Sequence, residues 1–152
     1  MYLRAGDTLS GQEGKATIKV NDSVQDLFFL KSLEATFEKT KAEIKTLGKR
    51  STQYKGTGWA GSGTLSIFYV TSLFRKLALD FAKNGKDVNF TITAVNEDAS
   101  STVGKQTIVL YNCNFDSVIL TKIDVEADVL DEEVPFTFDD FDILDEFGNP
   151  VV

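Results

Sequence analysis

Alternating apolar and polar side chains predict a protein built mainly from β-strands. Leu33, Ala35 and Phe37 are separated by polar residues, so one face of a strand over residues 24–39 is expected to be buried. The same two-residue period predicts further strands over 16–20, 56–70, 88–94, 105–115, 123–129 and 134–138. About seven strands of this kind favour an antiparallel sandwich or barrel.

One segment, residues 71–84, has the spacing of an amphipathic helix instead. Its apolar stripe consists of Leu73, Phe74, Leu77, Ala78 and Phe81. Thr71 or Ser72 can accept hydrogen bonds from the first free backbone N–H groups, and Gly85 can adopt the left-handed conformation that ends a helix. The expected fold class is therefore mainly β, a β-sandwich or barrel of antiparallel strands with one α-helix as a plug.

Length and composition fit a single domain over residues 1–152. Within it we expect an extended, glycine-containing N-terminal arm over 1–14 and a long basic loop over 40–55, part of which can be strand. The loop has no clean period, and it carries five basic side chains against the single acidic Glu43: Lys41, Lys45, Lys49, Arg50 and Lys55. A loop of this length in a small domain usually has a function or is disordered.

The strand predicted over 56–70 has two unlike faces. Trp59, Leu65 and Ile67 share one face, whereas small residues occupy the other: Gly58, Ala60, Ser62, Thr64 and Ser66. A face of small side chains lets another backbone approach closely, or lines a space that stays open. A bulged, solvent-facing strand explains the same pattern equally well.

Composition argues against an enzyme. The chain has no histidine, which removes the usual general base and the commonest metal ligand. Cys113 is the single cysteine, so it has no disulfide partner, and we expect it to be a partly buried strand residue. Residues 56–63 are rich in glycine but lack the spacing of a phosphate-binding loop. We therefore expect no catalytic residue, cofactor or metal.

Charge is distributed unevenly along the chain. From Ile123 onward there are eleven Asp or Glu residues and no Lys or Arg, within a net charge of −7. Asp124, Glu126 and Asp128 would lie about 7 Å apart on one strand face, but the turn and glycine of a calcium loop are missing. A solvated acidic face is the leading interpretation. Stable DNA binding is not expected, because DNA affinity depends on neutralising phosphates.

Several short motifs, taken in order along nearly the whole chain, resemble the tail tube proteins of contractile phage tails and of phage-like particles (defective prophages and bacteriocins) of Gram-positive bacteria. They are Ser10-Gly11 with Glu13-Gly14, Gly56-Thr57-Gly58, Gly61-Ser62-Gly63-Thr64, Tyr69-Val70-Thr71-Ser72, Leu110-Tyr111 with Asn114-Phe115-Asp116-Ser117, and Glu132-Glu133-Val134-Pro135-Phe136-Thr137-Phe138-Asp139-Asp140-Phe141-Asp142. Each motif alone is common, whereas the ordered set is fairly specific. The correspondence is weakest over 40–50 and 148–152.

The resemblance implies a structural protein without an active site. Subunits of such tubes form hexameric rings around a central channel, and the rings stack into a rigid tube that conducts DNA or other cargo. The implied partners are further copies of the chain, the tail sheath protein, and tape measure and baseplate proteins. DNA passes through without specific binding, and no part of the chain spans a membrane.

Two groups of residues become candidate assembly sites on this basis. The hypothesised contact between subunits or rings consists of Lys41, Lys45, Lys49, Arg50 and Lys55. The hypothesised acidic face toward the lumen or the sheath consists of Asp124, Glu126, Asp128, Asp139 and Asp140. An acidic lumen would repel phosphates, so that DNA slides without sticking.

Two other functions remain open from the residues alone. One is a monomeric β-sandwich that binds carbohydrate or protein, and the other is a tube subunit of the type VI secretion kind. Self-assembly separates a tube subunit from a binding module. The N-terminal residues lack the apolar region of a signal peptide. We therefore expect assembly in the bacterial cytoplasm, followed by a place in the tail of a virion or phage-like particle.

Overall fold

The computed structural model describes residues 2–27 and 29–148, and it shows antiparallel β-structure with one α-helix in that part of the chain. In chain order the strands are β1 (Gly14–Val20), β2 (Ser23–Asp26), β3 (Leu30–Ile44), β4 (Gln53–Phe68), β5 (Phe90–Glu97), β6 (Lys105–Phe115), β7 (Asp131–Phe138) and β8 (Asp140–Asp145). The helix α1 spans Leu73–Asn84, and a short 3₁₀ turn spans Ala5–Asp7. The mainly β fold class with one helix is confirmed.

The strands form two layers that share β6. Their order is β2-β1-β5-β6-β7-β4-β3, and β8 also pairs with β6. The first part of β6 pairs with β5 and β8, whereas its last residues, Asn114 and Phe115, pair with β7. We call β2, β1, β5, β6 and β8 sheet A, and β7, β4 and β3 sheet B.

The core lies between the inner faces of the two sheets. Ile18 and Ile92 pair in register in sheet A, and Leu65 and Val134 pair in register in sheet B. All four side chains are fully buried, as the two-residue period requires. From α1, Phe74 packs edge-on against a phenylalanine of β5, Phe90, with ring centroids 6.0 Å apart. The helix therefore closes the core.

The ends of α1 agree with the sequence, but its apolar stripe is only partly buried. The Thr71 hydroxyl accepts a hydrogen bond from the Leu73 N–H at 3.3 Å, and Gly85 is left-handed with φ 67°. Leu73, Phe74 and Leu77 contact the core. Phe81, which was expected on the buried stripe, is 55% exposed because the contacts with the core are made by the first half of the helix.

The strand expected over 123–129 is wrong, because these residues form no strand in the structure. Ile123 and Val125 are almost fully exposed, at 94% and 98%. A segment with alternating apolar and polar residues forms a strand only where another strand can pair with that segment. None of the described strands pairs with residues 123–129.

Two boundaries in the first third of the chain also differ from expectation. The strand expected over 24–39 is divided into β2 and β3. The basic loop expected over 40–55 shrinks to 45–52, because β3 continues to Ile44 and pairs there with Gln53 of β4. A β-bulge opposite Thr40 and Lys41 shifts the register. Such a bulge moves alternate residues to the other face, which hides the two-residue period.

The N-terminal residues fold back onto the domain and do not form one extended arm. The Ser10 N–H donates to the Asp98 carboxylate at 2.9 Å, and the Thr102 N–H donates to the Gly6 carbonyl at 3.0 Å. Farther along, the Glu97 N–H donates to the Glu13 carbonyl at 3.1 Å. The segment before β1 is therefore attached to the connection between β5 and β6. Met1 lies outside the described residues, as does the part of the C-terminal tail beyond Gly148.

Candidate assembly surfaces

Strands β3 and β4 form a hairpin whose outer part extends beyond the rest of sheet B. β4 pairs with β7 only from Gly61 to Phe68, so its residues 53–60 pair with β3 alone among the described strands. At about 3.3 Å per residue this part extends roughly 26 Å. We call residues 38–60 the projecting hairpin. A two-stranded ribbon is only marginally stable in water, so contacts outside the chain would stabilise it.

Four aromatic side chains support the base of the projecting hairpin. Phe37 of β3 and Trp59 of β4 stack with ring centroids 4.9 Å apart. Phe141 of β8 meets the Trp59 ring edge-on at 5.6 Å, and Phe138 of β7 completes the group at 6.1 Å from Trp59. This cluster connects the hairpin to both sheets. The buried face expected from the alternation of Leu33, Ala35 and Phe37 is wrong, because Phe37 remains 48% exposed in spite of these ring contacts and Ala35 is also exposed. The contribution of Phe141 was not visible in any local pattern.

Two glycines of β4 allow phenylalanine rings to lie directly on the strand. A Cβ atom at Gly63 would lie 2.5 Å from the Glu34 carbonyl oxygen and 2.6 Å from the Phe136 ring. At Gly61 it would lie 2.4 Å from the Phe138 ring. The close approach expected in this strand therefore occurs on the face shared with Trp59, not on the face of small residues.

The face of small residues on β4 is instead the outer surface of sheet B. Register places Glu38 beside Ala60, Glu34 beside Thr64, and Glu133 of β7 beside Ser66. All three glutamates are exposed. From Ala60 to Ser66 the paired positions carry no Lys or Arg. We call this surface the outer face of sheet B. Its side chains on β4 are small, and the neighbouring glutamates make it acidic.

The five basic candidate residues all lie on the projecting hairpin. Lys41, Lys45, Lys49, Arg50 and Lys55 are exposed, and none of them forms an ion pair with another described residue. Apolar side chains are exposed among them: Ile44 at 39%, Leu47 at 104% and Tyr54 at 62%. Ile44 and Leu47 were missed in the sequence, although apolar residues inside a basic segment without a buried period were a usable signal.

The structure divides the five acidic candidate residues between opposite ends of β7. Asp139 and Asp140 follow its last residue, and Asp139 accepts a hydrogen bond from the Asn112 side chain at 2.8 Å. Asp124, Glu126 and Asp128 precede its first residue. All five are exposed, but they do not form one surface.

Residues 119–130, which we call the 119–130 segment, are held at both ends. The Arg75 guanidinium donates to the Ile119 carbonyl at 3.2 Å. The Lys122 ammonium donates to the Asp131 carbonyl at 2.9 Å, and the Tyr69 N–H donates to the Leu130 carbonyl at 3.0 Å. Between these attachments the apolar side chains are directed to solvent, with Ile123, Val125 and Val129 exposed by 66% or more.

The attachment at Arg75 includes a buried ion pair. Its guanidinium lies 2.6 Å from the Glu132 carboxylate, whose side chain is fully buried, and 4.4 Å from the centre of the Tyr69 ring. One Glu132 oxygen, Oε1, has no hydrogen-bond partner among the described residues. Breaking such a pair leaves a buried charge without compensation. Because Arg75 lies on α1 and contacts both Glu132 of β7 and the Ile119 carbonyl, it connects the helix, the strand and the 119–130 segment.

Little in the described residues supports chemistry. Cys113 is buried, and burial raises the pKa of its thiol to about 12, which keeps it protonated and unreactive. No group of three or more Cys, Asp or Glu side chains in residues 2–27 and 29–148 is placed to hold a metal ion. The helix in this part of the chain is too short and too polar to cross a membrane. An open cleft of about 910 Å³ between the sheets is lined by Ala16, Leu27 and Leu33 among others.

The described residues form a small β-structure with exposed projections. A family model described as "Phage tail tube protein" matches residues 1–145. The chain belongs to the phage tail tube protein family. The resemblance inferred from the ordered motifs is confirmed, and the chain is accordingly related to structural components of phage and phage-like tails.

Two relatives are similar to this chain in sequence, and one solved structure is similar to it in fold. The chain is 40% identical over 149 residues to "Phage-like element PBSX protein XkdM" of Bacillus subtilis (strain 168), covering 98% of this chain and 99% of that protein. It is 42% identical over 143 residues to "Uncharacterized protein YqbM" of the same organism, covering 94% and 95%. A chain in the sheath-tube complex of an extracellular contractile injection system, PVC, in its extended state has a similar fold, with a TM-score of 0.62, 14% identity and 91% and 93% coverage.

Proposed function

We propose that this tail tube family member assembles into hexameric rings, and that the rings stack into the inner tube of a contractile particle. The observation that carries the proposal is the open edge of β3. This strand ends the order of sheet B, so the 15 residues of Leu30–Ile44 have no strand partner on their outer side among the described residues. A long free edge invites pairing with another chain, and closure into a ring removes it.

The outer face of sheet B is the part of the chain that suits a channel wall. Its side chains are small, and Glu34, Glu38 and Glu133 give it negative charge. Barrels with many strands enclose an aqueous lumen. Carboxylates on its wall would repel nucleic-acid phosphates, so DNA or another cargo passes without binding. Asp139 and Asp140, exposed at the corner between β7 and β8, face the lumen or the sheath in this proposal.

The proposed partners follow from the place of the tube in the particle. Further copies form the rings, the tail sheath surrounds them, and tape measure and baseplate proteins meet the inside and the end of the tube. The solved neighbour in a sheath-tube complex supports the sheath as a partner. Assembly takes place in the bacterial cytoplasm, and the product is part of the tail of a virion or phage-like particle. The five basic residues of the projecting hairpin contact another subunit or ring.

Negative-stain electron microscopy of the purified chain, over a series of concentrations, tests the proposal. We expect rings or tubes with a central hole that become more numerous as the concentration rises. Sedimentation at the same concentrations provides the matching mass. A monomer throughout the series would contradict self-assembly and favour a monomeric binding module.

A further inference from the structure

The projecting hairpin and the 119–130 segment lie at opposite ends of sheet B. β7 runs from Asp131 to Phe138, and β4 runs antiparallel to it, with Phe68 beside Asp131 and Gly61 beside Phe138. The rest of β4, back to Gln53, therefore extends past the Phe138 end of β7. The 119–130 segment enters β7 at the other end, directly before Asp131.

The two ends carry opposite charge. The hairpin residues 40–55 have five basic side chains and only Glu43 as an acidic one. Between Ile123 and Leu130 there are three carboxylates, of Asp124, Glu126 and Asp128, and no basic side chain. All of these charged groups are exposed. Complementary charge of this kind directs association and fixes its register.

Both ends also expose apolar side chains that the single chain does not cover. On the hairpin these are Ile44, Leu47 and Tyr54; on the segment they are Leu120, Ile123, Val125 and Val129. Apolar residues rimmed by charged ones are typical of a contact between proteins. In the segment the exposed apolar and acidic residues are neighbours along the chain, so a docked surface can contact both kinds.

We propose that the projecting hairpin of one copy docks head-to-tail on the 119–130 segment of a second copy, in the next ring of the tube. This inference rests on the proposed function and identifies the two surfaces that stack the rings. It assigns Asp124, Glu126 and Asp128 to the contact between rings. The basic side chains of Lys45, Lys49 and Arg50 are the groups of opposite charge that meet them. The contact is heterologous, since two different surfaces meet, and such a contact repeats without limit unless it closes.

Strand direction supports a contact between rings. Strands in a barrel are inclined by about 35–45° to its axis. If sheet B forms the channel wall, its strand ends point toward the two faces of the ring. The projecting hairpin then extends from one face of the ring, and the 119–130 segment lies on the opposite face. Attachment of that segment through Arg75 and Lys122 keeps residues 123–129 in place to receive it.

Charge reversal tests the pairing. We expect K45E/K49E/R50E and D124K/E126K/D128K each to form rings that no longer stack, because like charges would face each other. The six substitutions combined in one chain should restore tubes. K76E/K83E/K86E, on and directly after α1, is the control for K45E/K49E/R50E, because it makes the same change in net charge. Tube length in electron micrographs and sedimentation of rings against tubes are the two measurements.

A cysteine pair gives an independent readout. In the variant L47C/V125C, mild oxidation of assembled tubes should produce a ladder of covalent oligomers longer than six chains. The native Cys113 is buried and does not interfere. L47C/L79C is the control, since Leu79 is 59% exposed on α1.

The outcomes separate the two proposals. If the wild-type chain forms no rings or tubes, the proposed function fails. If it forms tubes while both reversed variants stack normally, and L47C/V125C gives no ladder, the stacking contact is wrong and the function stands. Covalent oligomers that end at six chains would place the contact within a ring and would also overturn the inference.

Discussion

At the scale of single residues, the packing of β4 against β3 and against the Phe136 ring of β7 depends on Gly63. A side chain there would meet the backbone carbonyl of Glu34 at 2.5 Å, and backbone cannot move aside as a flexible side chain can. We expect Gly63→Ala to lower the free energy of unfolding by about 1–3 kcal/mol, the usual range for overpacking. Gly58→Ala is the matched control, because nothing lies within 4 Å of its added methyl group. Chemical denaturation of the monomeric chain checks both, and equal stabilities would contradict the packing described.

The buried ion pair gives a second prediction at this scale. Arg75→Ala should lower the free energy of unfolding by about 3 kcal/mol, because the Glu132 carboxylate stays buried without its partner. The double variant Arg75→Met with Glu132→Met should recover much of that loss, since it removes both charges. Lys31→Ala, which breaks the exposed pair with Asp131, should cost less than about 1 kcal/mol. Additive losses in the double variant would show that the two residues are not coupled.

The candidate site could be read from the sequence in part. Charge counts identified the basic and acidic residues, because net charge is a property of composition. They could not show that Asp124 and Asp139 lie at opposite ends of β7, since that depends on strand pairing. The role of Gly63 was likewise invisible, because a glycine in a strand reveals nothing about which ring lies over it.

At the scale of elements, alternation predicted most of the strands that pair within the chain, but it missed β8, which pairs with β6. It located β1, β5, β6 and β7 to within a few residues, and the spacing of an amphipathic helix located α1 equally well. It failed over 123–129, where the same period is present but no strand pairs with it. It also missed the outer part of the β3–β4 hairpin, because the bulge beside Thr40 breaks the period. Pairing between distant segments, not local pattern, decides both cases.

The attachment of the N-terminal segment should depend on pH. The Ser100 hydroxyl, with the backbone N–H groups of Ser10 and Ser100, donates to the Asp98 carboxylate and lowers its pKa below the ordinary value. A lowered pKa means that the stabilisation is complete above the ordinary aspartate value of about 4, and is lost as the pH falls through the lower folded value. Hydrogen exchange at the Ser10 amide, corrected for its intrinsic rate, should therefore accelerate in acid.

Asp98→Asn separates this effect from general acid unfolding. The substitution should weaken protection of the Ser10 amide at neutral pH and flatten its pH dependence. Asp22→Asn, in the turn between β1 and β2, is the control and should behave like the wild type. If the Asp98 variant kept the same pH profile, the carboxylate would not be the group that holds the segment.

At the scale of the whole molecule, three surface features lack the contacts that would stabilise them within a single chain. Among the described residues, the edge of β3 has no strand partner on one side and the projecting hairpin has no third strand. The 119–130 segment exposes its apolar side chains. None of these three features stabilises a single copy of the chain. In the stacked rings that we propose, a neighbour within the ring would pair with the edge of β3, and the projecting hairpin and the 119–130 segment would cover each other across rings.

Cryo-electron microscopy of the assembled tubes, with helical reconstruction, tests this arrangement most directly. We predict six copies in each ring, with the outer face of sheet B, including Glu34, Glu38 and Glu133, lining the channel. A ring of another order, or a channel lined by sheet A with the face of small residues turned outward, would contradict the account.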